Sequence, residues 1–189
     1  MGIRSFIAIP LSVSLKKGIA ELLDELKQMN ADIKWVPAEN VHITVKFLGD
    51  VAEDALPAIE EALSKVSASQ RSFTVKLSGT GFFPDKRRPR VLWIDIQEYQ
   101  GLRELQDLVE ESLISLGLKK ETKNFSPHLT IGRVRTTKNL SSLVEAMETL
   151  KGRDFGNIEV RLLSLMKSEL KPTGAEYKTL AEFNLKGEE

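Results

Sequence analysis

Val41-His42-Ile43-Thr44-Val45-Lys46-Phe47 and Pro127-His128-Leu129-Thr130-Ile131-Gly132-Arg133 are one strand written twice, 86 positions apart. In an extended chain residues i and i+2 share a face. His and Thr therefore point one way, while Ile43 and Val45, or Leu129 and Ile131, point into a core. The chain has only two histidines, and these are they. With ten threonines in 189 residues, chance places threonine two positions after both histidines in roughly 0.3% of sequences, too seldom for a coincidence of short motifs.

Working outward, Arg4 to Ile9 reads as a strand stopped by Pro10, and Ser12 is placed to cap a helix. Leu15, Ile19, Leu22, Leu23, Leu26 and Met29 then recur at helical spacing. A loop through Trp35 leads into the first His strand. A helix over about 54–66 and a strand at Phe73 to Leu77 follow, then a loop from Gly79 to Pro89. Val91 to Ile96 is a buried-type strand. A long amphipathic helix with Gly117 behind it precedes the second His strand. Ser142 with Glu145 reads as a capping box opening a helix to about Leu150. Strands near Ile158 to Leu165 and Tyr177 to Leu185, separated by Pro172-Thr173-Gly174, end the chain.

The order repeats: strand, long helix, strand with a histidine, short helix, strand. At the same offset Arg4 matches Arg90, His42 matches His128, Thr44 matches Thr130 and Phe73 matches Glu159. The repeat predicts two α+β halves, each with a half-buried sheet and helices on one face, related by a pseudo-twofold and packed as two facing lobes. The chain is expected to be one domain over 1–189, with lobes near 1–85 and 86–189.

Composition narrows the chemistry. Hydrophobic residues are 41% and charged residues 29%, as in a soluble globule. No apolar run reaches the roughly 18 residues of a membrane span, so a cytoplasmic location is expected. The absence of cysteine removes disulfides, thiolate nucleophiles and Cys-based metal sites. Twenty-seven basic residues balance 27 acidic ones, so a polyanion must be gripped by a local patch.

Two imidazoles and two hydroxyls suit in-line displacement at phosphorus. One imidazole takes a proton from the attacking oxygen and the other gives one to the leaving oxygen. A threonine beside each donates to the non-bridging oxygens. No Asp or Glu stands at a spacing that would complete a metal site with them.

The paired H-x-T-x tetrapeptides, with Arg4-Ser5-Phe6-Ile7-Ala8-Ile9 ahead of them and the Phe47-Leu48-Gly49 tail, closely resemble the 2H phosphoesterase superfamily. Within it the match is to the archaeal and bacterial RNA 2′,3′-cyclic phosphodiesterases, historically called 2′-5′ RNA ligases. Trp35, Gly81-Phe82-Phe83-Pro84, Arg133 and the run Ser168-x-Leu170-x-Pro172-x-Gly174-x-x-Tyr177 extend the resemblance over nearly the whole chain. It implies an α+β fold, duplicated and bilobal, whose two antiparallel sheets form a V-shaped cleft with helices on the outer faces and the His-Thr pairs on its floor. It also implies opening of a terminal 2′,3′-cyclic phosphate on RNA, tRNA fragments included, to a 2′-phosphomonoester, without metal, cofactor or obligate protein partner. By this resemblance His42 is the proton donor and His128 the proton acceptor, although pseudo-symmetry permits the reverse; Thr44 and Thr130 hold the phosphate, and Arg133 adds charge to it.

Lys86, Arg87, Arg88 and Arg90 beside Phe82 and Phe83 form the densest basic cluster, a candidate for the RNA backbone with an aromatic for stacking a base. Trp35 and Tyr177 are further stacking candidates or core caps. Lys119, Lys120 and Lys123 read as a solvated turn. Two other functions compete. A 2′-5′ RNA ligase uses the same acid–base pair with a sugar hydroxyl in place of water. A non-catalytic RNA-end binding module needs no pair of titratable groups.

Overall fold

Alternating isoleucine and leucine build the sheet. Ile9, Ile43, Leu129 and Ile94 stand in one cross-strand row and all four are buried. Each contributes roughly 1.5–3 kcal/mol by leaving water. The computed structural model describes residues 2–122, 124–171 and 174–187. In chain order the elements are β1 (Gly2–Pro10), α1 (Val13–Lys27), β2 (Ile33–Trp35), β3 (His42–Ala52), α2 (Leu56–Ser69), β4 (Phe73–Phe83), β5 (Val91–Gln97), α3 (Gln100–Ile114), β6 (His128–Val134), α4 (Leu140–Thr149), β7 (Asp154–Val160), β8 (Leu162–Lys171) and β9 (Gly174–Asn184).

The named strands form one antiparallel sheet in the order β7-β4-β5-β6-β3-β1-β8-β9, with β2 added beside β6. Its two arms meet at β3 and β6 through one residue pair, Ile43 and Leu129. Those residues are themselves related by the 86-residue offset, so the pseudo-twofold passes through that rung. α1 shows why the helices lie behind the sheet. Ser12 caps it, its Oγ accepting from the Leu15 amide at 3.3 Å, and Ile19, Leu22, Leu23 and Leu26 bury one stripe. α1 packs toward β7 and α4, α4 on β4, α3 on β3 and β4, and α2 on β8, β9 and α3.

The arms are not the sequence halves 1–85 and 86–189. β4 leaves the first half to pair with β5, and β8 returns to pair with β1. A hairpin reaches its neighbouring strand with a short loop, so each arm is completed by the other half of the chain. The topological counterpart of β4 is therefore β8. Glu159 lies on β7 and pairs with Thr74 of β4, so it is no counterpart of Phe73. The offset on the first strands is 85: Ile9 faces Ile43 as Ile94 faces Leu129, which makes Ser5 rather than Arg4 the counterpart of Arg90.

Other expectations shift locally. Ile33–Trp35, read as loop, is a strand on β6. β4 runs on to Phe83 because Gly79, at φ +89°, carries a bulge between the pairs Leu77–Ile96 and Thr80–Ile94. The Ser142–Glu145 capping box does not open α4. That helix starts three residues earlier behind Asn139, whose side-chain amide donates to the Asn30 carbonyl at 3.1 Å. The strand expected near Ile158 to Leu165 is two strands, β7 and β8. Lys123, Pro172 and Thr173 lie outside the described residues.

Candidate active site

The rung Ile43–Leu129 sets the site. In its register His42 stands opposite Thr130, and Thr44 opposite His128, on the face away from the buried pair. On a regular ladder the two diagonal histidine positions are about 7–8 Å apart. All four side chains are half-buried. The structure thus brings together every His and Thr that the sequence singled out.

Both rings are held alike. His42 Nδ1 lies 2.7 Å from the Asn40 carbonyl, and His128 Nδ1 lies 2.8 Å from the Ser126 carbonyl. A carbonyl only accepts, so each Nδ1 carries the proton and each Nε2 is left to meet a ligand. His42 stacks on Phe6 at 4.9 Å with Tyr177 edge-on at 5.3 Å. Phe83 meets His128 edge-on at 4.9 Å, and Trp93 stands 6.4 Å away.

Burial pushes both imidazoles below their ordinary pKa. For His42 the Asn40 carbonyl pulls back upward, while Lys16 adds to the lowering. For His128 the Ser126 carbonyl again opposes burial, Arg133 lowers and Asp95 raises. Asp95, opposite His128 on β5, has its own carboxyl pushed up by burial, against the Ile96 amide that donates to it at 3.0 Å. Its topological counterpart on β1 is Pro10, so the residue across the ladder is a carboxylate for His128 and a proline for His42.

Arg133 reaches the site through a bulge. The β5–β6 register jumps from Leu92–Gly132 to Trp93–Thr130, leaving Ile131 as the extra residue. The odd spacing from His128 to Arg133 then falls on one face, and Arg133 joins His128 and Thr130. β3 carries the same bulge at Val45, so the residue in the place of Arg133 on the other arm is Phe47, 65% exposed.

The remaining candidates sort by face. Phe82 is in the core while Phe83 lines the cleft. Trp35 packs over Gly132 on the helix side, so the structure makes it a core cap and not a stacking platform; Tyr177 is in the site. Trp93 was missed, as were Phe6 and Asp95. Trp93 and Asp95 alternate with the buried Leu92, Ile94 and Ile96, and that period was the available signal. Trp93 lies against Gly81, where a Cβ would come within 2.2 Å of the ring. Lys119 and Lys120 are exposed, but the Lys119 carbonyl accepts from the buried Lys46 Nζ at 2.9 Å. Among the described residues no group of three or more His, Asp or Glu is placed to hold a metal ion, and no helix is long and apolar enough to cross a membrane.

The chain resembles known proteins in sequence and in fold. A family profile described as LigT like Phosphoesterase matches twice, over residues 9–93 and 94–177. The RNA 2′,3′-cyclic phosphodiesterase of Methanothermobacter thermautotrophicus is 33% identical over 185 residues, 98% of this chain and 100% of that protein. The protein of the same name from Archaeoglobus fulgidus is 38% identical over 180 residues, 95% of this chain and 99% of its own. A crystal structure from Thermus thermophilus superposes with a TM-score of 0.83 at 26% identity, covering 98% of this chain and all of that one. Escherichia coli LigT, solved with 3′-AMP, shares the fold with a TM-score of 0.78 at 22% identity, over 98% of this chain and 99% of that one. With its duplicated profile match and its relatives aligned from end to end, the chain belongs to the LigT-like phosphoesterase family.

Proposed function

We propose that the protein is an RNA 2′,3′-cyclic phosphodiesterase that opens a terminal cyclic phosphate to a 2′-phosphomonoester. The observation that carries this reading is the His-Thr square around one β-rung, with both Nε2 atoms left to a ligand. The names of the relatives support the substrate class.

Water attacks phosphorus opposite the 3′ oxygen, and His128 Nε2 takes its proton. The P–O3′ bond breaks as His42, entering as the imidazolium with a proton on each ring nitrogen, gives its Nε2 proton to the leaving oxygen. The phosphate stays on O2′. Thr44 and Thr130 donate to the non-bridging oxygens and Arg133 offsets their charge. Asp95 raises the pKa of His128 and so favours the imidazolium formed there, which fits the base role. The protein's own titratable groups supply both proton transfers, so the reaction is expected to run in excess chelator.

The test is an oligonucleotide ending in a 2′,3′-cyclic phosphate, incubated with purified protein and EDTA. A 2′-phosphate product is expected, and His42→Ala and His128→Ala should each cut turnover on the order of 10²-fold or more. A 3′-phosphate product, wild-type rates in both variants, or loss of activity on chelation overturns the mechanism. A joined product on adding RNA with a 5′-hydroxyl reveals the ligase instead.

A further inference from the structure

The twofold that relates the histidines breaks down at the rim of the cleft. One row crosses the His128 arm as Lys34, Arg133, Val91 and Phe83. The Arg135 amide donates to the Asp32 carbonyl at 3.0 Å, which continues the β2–β6 ladder and keeps Arg135 on the face of Arg133 and Lys34. The β4–β5 loop brings Arg87, Arg88 and Arg90 to the same end of the sheet. Asp85 Oδ1 fixes that loop by accepting from the Arg87 and Arg88 amides at 2.7 and 3.2 Å.

None of Lys34, Arg87, Arg88, Arg90, Arg133 and Arg135 has an ion-pair partner among the described residues. Lys86 differs, being paired with Glu148 at 3.1 Å. The equivalent row of the His42 arm is Phe47, Phe6, Met166 and Thr179, without a cation. Beyond it Lys167 and Lys171 are neutralised by Glu169 and Glu176. In a chain of zero net charge, six unpaired cations at one end of one arm form a track and not a general field.

We infer that an RNA strand leaves the cleft over this arm, its phosphodiesters upstream of the cyclic end lying on Lys34 and Arg135 with Arg87 and Arg88 flanking. The inference rests on the RNA-end reading above and adds the direction in which the chain runs. Pairing of cations with phosphates is independent of sequence and releases counterions, with about 0.7 per neutralised phosphate in the salt slope for single strands. Removing two of these cations should flatten the slope by about 1.4 and weaken binding at 0.1 M salt on the order of 10-fold.

The probe is a labelled 12-nucleotide single-stranded RNA ending in a 2′-phosphate, which the proposed reaction cannot consume, compared with a dinucleotide bearing the same end. Anisotropy titrations from 50 to 300 mM salt should show the 12-mer binding wild type more tightly than the dinucleotide. The double variant Lys34→Ala/Arg135→Ala should lose that advantage and keep the dinucleotide affinity within about twofold. Arg4→Ala/Lys178→Ala, the same charge change on the other arm, should leave both unchanged. Equal loss in the two double variants, or an unchanged 12-mer affinity in the first, overturns the inference, as does wild type that does not bind the 12-mer. Length-dependent binding without turnover of a cyclic end would instead sink the proposed hydrolysis and leave the track standing.

Discussion

Replacing Lys46 with methionine tests how the floor of the cleft is held. Lys46 follows the Val45 bulge on β3 and is 5% exposed. Its Nζ donates to Glu110 Oε1 at 2.7 Å, to Glu110 Oε2 at 2.8 Å and to the Lys119 carbonyl at 2.9 Å. Glu110 also accepts from Gln106 Nε2 at 3.2 Å and from the Glu121 amide at 3.4 Å. Methionine keeps the volume but strands the carboxylate with one side-chain amide and one backbone N–H. Breaking such a pair from one side costs about 3–5 kcal/mol. At about 2–4 °C per kcal/mol for a chain of this size, Tm should fall by roughly 6–20 °C. Replacing both partners, Lys46→Met/Glu110→Leu, removes the stranded charge and should recover most of the loss, even though the Lys119 carbonyl loses its donor. Urea unfolding of wild type, both single variants and the double closes the cycle. A single-variant loss below about 1 kcal/mol, or a double variant no better than Lys46→Met, would refute the account of a desolvated, mutually dependent pair.

Histidine titration gives a second prediction. In NMR spectra of the ligand-free protein both rings should titrate below about 6.5, the ordinary value, and inorganic phosphate should raise both by pairing with the charged form. Because the folded values are depressed, the unfolded chain binds more protons once pH drops below about 6.5. Stability should therefore decline on acidification through that point, and His42→Gln/His128→Gln should lose this part of the slope. Rings titrating above the ordinary value without ligand would contradict the desolvation argument. At Gly81, alanine should force Trp93 off its seat against Phe83, 5.1 Å away, and disturb His128. A stability loss of roughly 1–3 kcal/mol is expected from overpacking, with altered tryptophan emission and at least 10-fold slower turnover. Gly152→Ala, with no atom within 4 Å of its Cβ, is the control and should change neither. Wild-type turnover in Gly81→Ala would show that the Trp93 position does not matter to the site.

The catalytic face was legible because it obeys a two-residue period over a short stretch: His42 with Thr44, and His128 with Thr130. Past the third residue that period fails. Val45 and Ile131 are extra residues, and no local propensity marks a valine or an isoleucine as a bulge. On strict alternation Phe47 and Arg133 would fall on the face opposite His42 and His128. The exchange of strands between halves was invisible for a different reason. Nothing in Phe73 to Phe83 says which neighbour its edge will pair with, since that follows from the short reach of the turn into Val91. Trp35 stayed open between base stacking and core capping because aromatic side chains serve cores and ligands equally well, and its register opposite Gly132 separates the two. Ser12 was readable, since a cap is a local event three residues long.

The single rung between the arms has a mechanical consequence. If one arm swings on the other about Ile43 and Leu129, displacement grows with distance from the pivot. His42 and His128 each sit one residue from it, about 3.3 Å along the strand, and a turn of about 10° moves them by only about 0.6 Å. Arg135, six residues out from Leu129 and so about 20 Å along the strand, moves by about 3.5 Å for the same turn. The His-Thr square lies near the fulcrum and the basic rim at the ends of the levers. Such a swing would move the rim while the spacing of the imidazoles stays nearly constant.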